Sequence, residues 1–156
     1  MTKMRWSGGA VVAVLAAVLS ACAAPALTPE RAGQLAYADL GPEMQMGEQL
    51  TLVWIEPPTP SAQPVGNPAA AAARSPLLAS LAQALSRGAR EPVNFAVAGP
   101  DSAYAAQVLL QALGAVSQPQ LLHLRVAFIG RRADAIVLAP AMAARGASLH
   151  FEPLPE

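Results

Sequence analysis

The sequence predicts an α/β protein: a small, largely parallel sheet with alternating helices, preceded by a tether and interrupted by a Pro/Ala-rich loop. Three observations carry this. Short runs of β-branched and aromatic residues alternate with amphipathic stretches from Gln49 onward. Glycine or proline stands at most of the junctions between them. Alanine fills 36 of the 156 positions, and side chains that small let helices pack close to a sheet.

Each element has a local reason. Thr28-Pro29-Glu30 supplies a hydroxyl N-cap, a first-turn proline and an acid at the positive helix end, so a helix is expected to about Asp39, before Gly41-Pro42. Gln49 to Glu56 reads as a strand. Pro57 to Pro76 holds six prolines in twenty residues and reads as an exposed, extended loop, because proline lacks the donor that regular structure needs. Leu77 to Arg87 places Leu77, Leu78, Leu81 and Leu85 on one helical face, with Gly88 as its closing residue. Val93 to Ala98 is a strand, Asp101 to Val116 a helix capped by Asp101 or Ser102, and Leu121 to Ile129 the most apolar strand. Ala133 to Arg145 reads as a helix, kinked at Pro140 or beginning later, and Ser148 to Glu152 as the last strand. Such alternation implies right-handed crossovers and parallel strands. The proline segment leaves the position and direction of the first strand open.

Ten basic and ten acidic side chains give a net charge of zero, which argues against a nucleic-acid partner. One cysteine excludes an intrachain disulfide and a cysteine zinc cluster. That cysteine has a telling place. Lys3 and Arg5 precede an apolar run from Ala10 to Leu19, and Leu19-Ser20-Ala21-Cys22 follows. The segment resembles the signal peptide and lipobox of bacterial lipoproteins. The resemblance covers about 22 residues. It implies cleavage after residue 21, lipid attachment at Cys22, and a chain held at the membrane by its acyl groups. With Ala23 and Ala24 rather than aspartate after the cysteine, it implies the periplasmic face of the outer membrane. The expected organisation is then a signal peptide over 1–21, a lipid-anchored tether over 22–43, and a periplasmic domain over 44–156 containing the 57–76 loop. Loss of residues 1–21 removes Lys3 and Arg5, leaving eight basic and ten acidic residues, net −2, and no lysine. Lysine-based nucleophiles and the P-loop lysine are thereby excluded.

Ligands of open parallel sheets gather where strands end and helices begin. Two such corners exist: Ala98-Gly99-Pro100-Asp101-Ser102 and Ile129-Gly130-Arg131-Arg132. Asp101, Ser102, Arg131 and Arg132 are therefore the candidate ligand-binding residues, with a bidentate anion contact open to the arginines. The structural alternative is that Asp101 and Asp134 are N-caps and the arginines are solvated. Neither corner has the glycines and lysine of a phosphate loop. His123, within an apolar strand, and His150, in the last strand, read as sheet or packed residues. Without a carboxylate at ligand spacing they offer no metal site, and no cofactor is expected. No Gly-x-Ser-x-Gly elbow occurs, so no enzyme is expected.

Gly99-Pro100-Asp101-Ser102 with Tyr104 resembles the strand-to-helix corner of OmpA-like peptidoglycan-binding domains, but lacks their His-Thr before the aspartate and their Leu-Ser-x-x-Arg-Ala helix. A lipobox before a small alternating domain is similar in order to the lipoprotein subunit of Cpa/Tad-type pilus assembly, with no diagnostic motif shared. The expected function is a non-enzymatic envelope lipoprotein, an accessory or assembly subunit with a protein partner. The alternative is a ligand- or peptidoglycan-binding module.

Overall fold

The computed structural model describes residues 26–59 and 67–154. Cys22 and the rest of the lipobox lie outside them, as does part of the proline loop. The protein is α/β, with one four-stranded, all-parallel sheet. Helix α1 (Pro29–Leu40) precedes β1 (Leu50–Trp54), and α2 (Pro68–Ala72) and α3 (Leu77–Ser86) lead to β2 (Val93–Ala98). Then α4 (Ser102–Ala115) leads to β3 (Leu124–Gly130), and α5 (Arg132–Ala144) to β4 (Ser148–Pro153). The strands lie side by side in chain order, β1-β2-β3-β4, so β1 and β4 are the edges. β1 runs parallel to β2, pairing Leu50 with Asn94 through Trp54 with Ala98, which settles the direction the sequence left open.

Helices α3, α4 and α5 pack side by side on one face of the sheet. Under them lies the larger core, where Phe95, Val97, Val126 and Phe128 meet Leu81, Leu85, Val108, Leu109, Leu113 and Leu138. The central strands are buried on both faces: all six residues of β2 are buried, as are six of the seven in β3. Near-continuous apolar runs are what a doubly covered parallel strand requires.

The second face is covered by α1, read from sequence as the helical part of a tether. Thr28 caps it, its hydroxyl accepting from the Arg31 N–H at 3.3 Å. Ala32, Ala36 and Leu40, four residues apart and fully buried, meet Ala96, Ala98, Ala127 and Ile129. Small residues on both sides let the helix approach the sheet closely, and α1 contacts all four strands.

Several boundaries differ from the sequence reading. Residues 57–76 are not all extended. Pro68 begins a short helix whose N-cap, Asn67, accepts from the Ala69 N–H at 3.0 Å. That helix docks on α4, where the Gln111 amide donates to the Ala69 carbonyl at 2.6 Å. Gly88 does not close α3 in a left-handed conformation. A 3₁₀ turn over Arg87–Ala89 follows the helix, and Gly88 is needed because a Cβ there would press on Leu124. The third strand begins at Leu124 rather than Leu121, because the Leu124 N–H turns back to the Leu121 carbonyl at 3.0 Å. His123 therefore stands in an exposed turn, not in the strand. Helix α5 starts at Arg132, one residue earlier than drawn, and runs through Pro140 to Ala144. Proline has no N–H for the Ile136 carbonyl, but both residues are on the exposed side, where water can serve that oxygen.

Candidate functional site

The candidate residues lie along the carboxyl edge of the sheet, where β2 and β3 hand over to α4 and α5. The chain leaving β1 passes over Gly99, held by the Ile55 N–H donating to the Ala98 carbonyl at 2.8 Å. A Cβ on Gly99 would overlap the Ile55 carbonyl oxygen. The glycine therefore serves a close backbone crossing; neither it nor Gly130 has a positive φ.

Asp101 is the N-cap of α4, its carboxylate accepting from the Tyr104 N–H at 3.0 Å. Ser102 is buried, and its hydroxyl accepts from the Arg131 N–H at 2.8 Å. Gly130 sits against that hydroxyl and the Phe128 ring, with no space for a Cβ. The two corners are thus stitched together, Ser102 on one holding the backbone of Arg131 on the other. The Arg131 side chain turns to Asp134, Nε to Oδ2 3.0 Å, on the solvent side. Asp134 is consequently an ion-pair partner in the first turn and not an N-cap; Arg131 occupies the cap position without a side-chain bond. Arg132 is exposed at the start of α5. The structure therefore joins Ser102 to the Arg131 backbone, while Asp101 and Arg132 point to separate tasks.

The sheet order has a bearing on binding. In open parallel sheets, binding crevices form where consecutive strands depart in opposite directions from a starting strand. Here the order never reverses, so crossover helices lie on one face and no such crevice divides them.

Two features went unseen in the sequence. At the amino edge, Glu48 Oε2 accepts from the Asn94 amide at 3.0 Å and from Arg125 at 2.9 Å, and Arg125 also donates to Asn94 Oδ1 at 3.1 Å. Asn94 and Arg125 are register partners on β2 and β3, and Glu48 closes over them just before β1. The Asn94 hydrogen bond, with Arg125 adding to it, holds the Glu48 carboxyl below its ordinary pKa despite the opposing effect of burial. Its other oxygen, Oε1, is buried and has no hydrogen-bond partner among the described residues. An arginine inside the apolar Leu121–Ile129 run was the available signal.

The second feature is a groove of about 420 Å³ between α5 and edge strand β4, lined by Ala135, Ile136, Ala139, Met142, Leu149 and Phe151, with Arg132 at one end. Ile136 and Val137 are 65% and 48% exposed, far from the usual burial of such side chains. A hollow of about 530 Å³ also opens beyond β1, lined by Trp54, Glu56, Pro76, Leu77 and Tyr104 among others. Among the described residues it offers one carboxylate and no opposing base.

His150 lies on the α1 side of β4, with Nδ1 3.5 Å from Asp39 and Nε2 3.5 Å from Glu43. The two carboxylates approach opposite nitrogens, so they do not converge on one point. Among the described residues no group of three or more His, Cys, Asp or Glu side chains is placed to hold a metal ion. Nor is any helix among them long and apolar enough to cross a membrane. Compared with family models, curated proteins and solved structures, the chain matches none.

Proposed function

We propose that this chain is a non-enzymatic lipoprotein of the cell envelope, anchored through Cys22 on the periplasmic face of the outer membrane. It serves there as an accessory or assembly subunit of an outer-membrane or periplasmic complex of the secretion or pilus type. The observation that carries the reading is Leu19-Ser20-Ala21-Cys22 behind a charged start and a short apolar run. Two features of the fold support a binding role toward protein. The polar groups of the carboxyl edge are largely used in internal bonds, Asp101 on Tyr104, Ser102 on Arg131 and Arg131 on Asp134. Ile136, the most exposed large apolar side chain of α5, lines a groove suited to another polypeptide.

Metabolic labelling with a palmitate analogue tests the anchor. Label on the wild-type chain and none on Cys22→Ser is the expected result; an unlabelled wild type sinks the reading. Recovery with a larger envelope complex after mild detergent tests the subunit role. A second reading, a ligand- or peptidoglycan-binding module, keeps exposed Arg132 and Asp101 as its contacts. Pull-down on isolated peptidoglycan that is lost in Asp101→Ala and Arg132→Ala would favour it.

A further inference from the structure

Among the described residues no strand pairs with the outer edge of β4, and that edge carries a specific pattern of outward backbone groups. The Leu154 N–H donates to the Gly130 carbonyl at 3.0 Å, so Leu154 faces β3. Backbone groups alternate in direction along a strand, so those of Glu152 and His150 also face β3. Those of Leu149, Phe151 and Pro153 therefore point outward from the sheet. Proline has no N–H, which leaves two outward donors, on Leu149 and Phe151, and an edge too short to recruit strands indefinitely.

We infer that β4 and the α5 groove form a two-fold interface with a second copy of this chain, the two β4 strands pairing antiparallel about Phe151. In that register Phe151 lies opposite Phe151, His150 opposite Glu152, and Leu149 opposite Pro153. The Phe151 N–H groups bond each other's carbonyls, and each Leu149 N–H bonds a Pro153 carbonyl. Both outward donors of each copy are used, and the donors that Pro153 lacks fall at the two ends.

The side chains agree with the backbone. On the α5 face the central pair is aromatic against aromatic, which antiparallel neighbours favour. On the other face a histidine meets a carboxylate; its own-chain acids, Asp39 and Glu43, stand at 3.5 Å, too far for good hydrogen bonds. Helix α5 lies over β3 and β4, and meets β4 more than β3. Strands are spaced about 4.8 Å apart, so a helix seated over the β3–β4 gap puts the two copies of α5 at most about 10 Å apart across the axis. Packed helices sit about 8–10 Å apart, so the two copies of α5 meet through the exposed Ile136 side chains that line the groove. The second copy would thus fill the groove with the same residues that line it, as an isologous contact demands. The interface does not depend on the lipid, so it stands or falls separately from the anchor.

The test uses the full chain in mild detergent, with mass measured by light scattering on a sizing column. A mass of two chains is expected for the wild type, and of one chain for Ile136→Glu, a substitution at an exposed position that leaves the core intact. Circular dichroism of that variant should match the wild type. Register is read by oxidation. The double variant His150→Cys, Glu152→Cys should give a disulfide-linked pair, and each single variant should give none beyond the wild-type background. A wild type of single-chain mass overturns the inference. So does a dimer that survives Ile136→Glu, or one in which His150→Cys alone crosslinks.

Discussion

Leu40→Ala decides whether α1 is part of the domain. Leu40 is fully buried at the end of α1, in the cluster that includes Ala96, Ala98, Ala127 and Ile129 of the sheet. The substitution removes three carbons, about 2.4 kcal/mol of transfer free energy at ~0.8 kcal/mol each. A cavity cost is added, and measured Leu→Ala changes in cores run from about 2.7 to 5.0 kcal/mol. Leu35 and Met44 are only partly buried beside it and can shift inward, so the low end of that range applies, about 3 kcal/mol. Against a total stability of roughly 5–15 kcal/mol that is a large fraction. For a domain of this size it lowers Tm by about 10–15 °C. Urea and thermal unfolding followed by far-ultraviolet circular dichroism measure it, with Gln34→Ala, on the exposed side of the same helix, expected within about 0.5 kcal/mol of wild type. If Leu40→Ala is as mild as Gln34→Ala, α1 does not rest on the sheet and the second face is open.

Other outcomes follow from the corners and edges. Gly130→Ala forces a methyl against the Ser102 hydroxyl and Phe128 ring and should cost about 1–3 kcal/mol by overpacking; Ser102→Ala, which orphans the Arg131 N–H, should cost a similar amount by denaturant titration. Pro140→Ala restores a donor for the Ile136 carbonyl and should raise stability by about 1–2 kcal/mol, the helix gain exceeding the lost rigidity of the unfolded chain; a lower midpoint would mean that the proline is matched to a bend. Glu48 has a folded pKa below its unfolded one, so its contribution is complete above the ordinary glutamate value, about 4.3, and fades as pH falls through the depressed folded value. Glu48→Gln should therefore flatten the acid side of the stability profile; an unchanged slope would place the proton uptake elsewhere.

The elements most legible in the sequence were those whose signals are local. Val93–Ala98 was read to the residue because an apolar, β-branched run sat between Pro92 and Gly99. Thr28 was read as a cap because hydroxyl, proline and acid fall in the right order. Alanine hid the rest. A stripe of Ala32, Ala36 and Leu40 carries little hydrophobic contrast, so only the equally small Ala96, Ala98 and Ala127 opposite reveal that α1 is a packed layer. The short helix at Pro68 was masked by the prolines around it, although proline at a first helical position after an asparagine is a start signal in its own right. The Glu48–Arg125 contact joins residues 77 apart, and the Ser102–Arg131 bond joins residues 29 apart. Register between strands creates both, and no local pattern encodes register. The sequence placed its candidate residues where strands hand over to helices, and the structure has them there, but no local signal showed that Ser102 and Gly130 fasten one corner to the other or that Gly99 serves the crossing of the chain at Ile55.

The docking of α1 shortens the leash. Were residues 22–43 an extended tether, its 21 links at about 3.6 Å could let the domain wander some 75 Å from a lipid on Cys22. Pro29 already belongs to a helix fixed on the sheet, so seven links remain, a reach of about 25 Å at full stretch. A body of about 120 residues has a radius of gyration near 14 Å, and so is wider than that reach. A chain lipidated at Cys22 would patrol a shell thinner than itself, and whatever it meets must come to the bilayer surface.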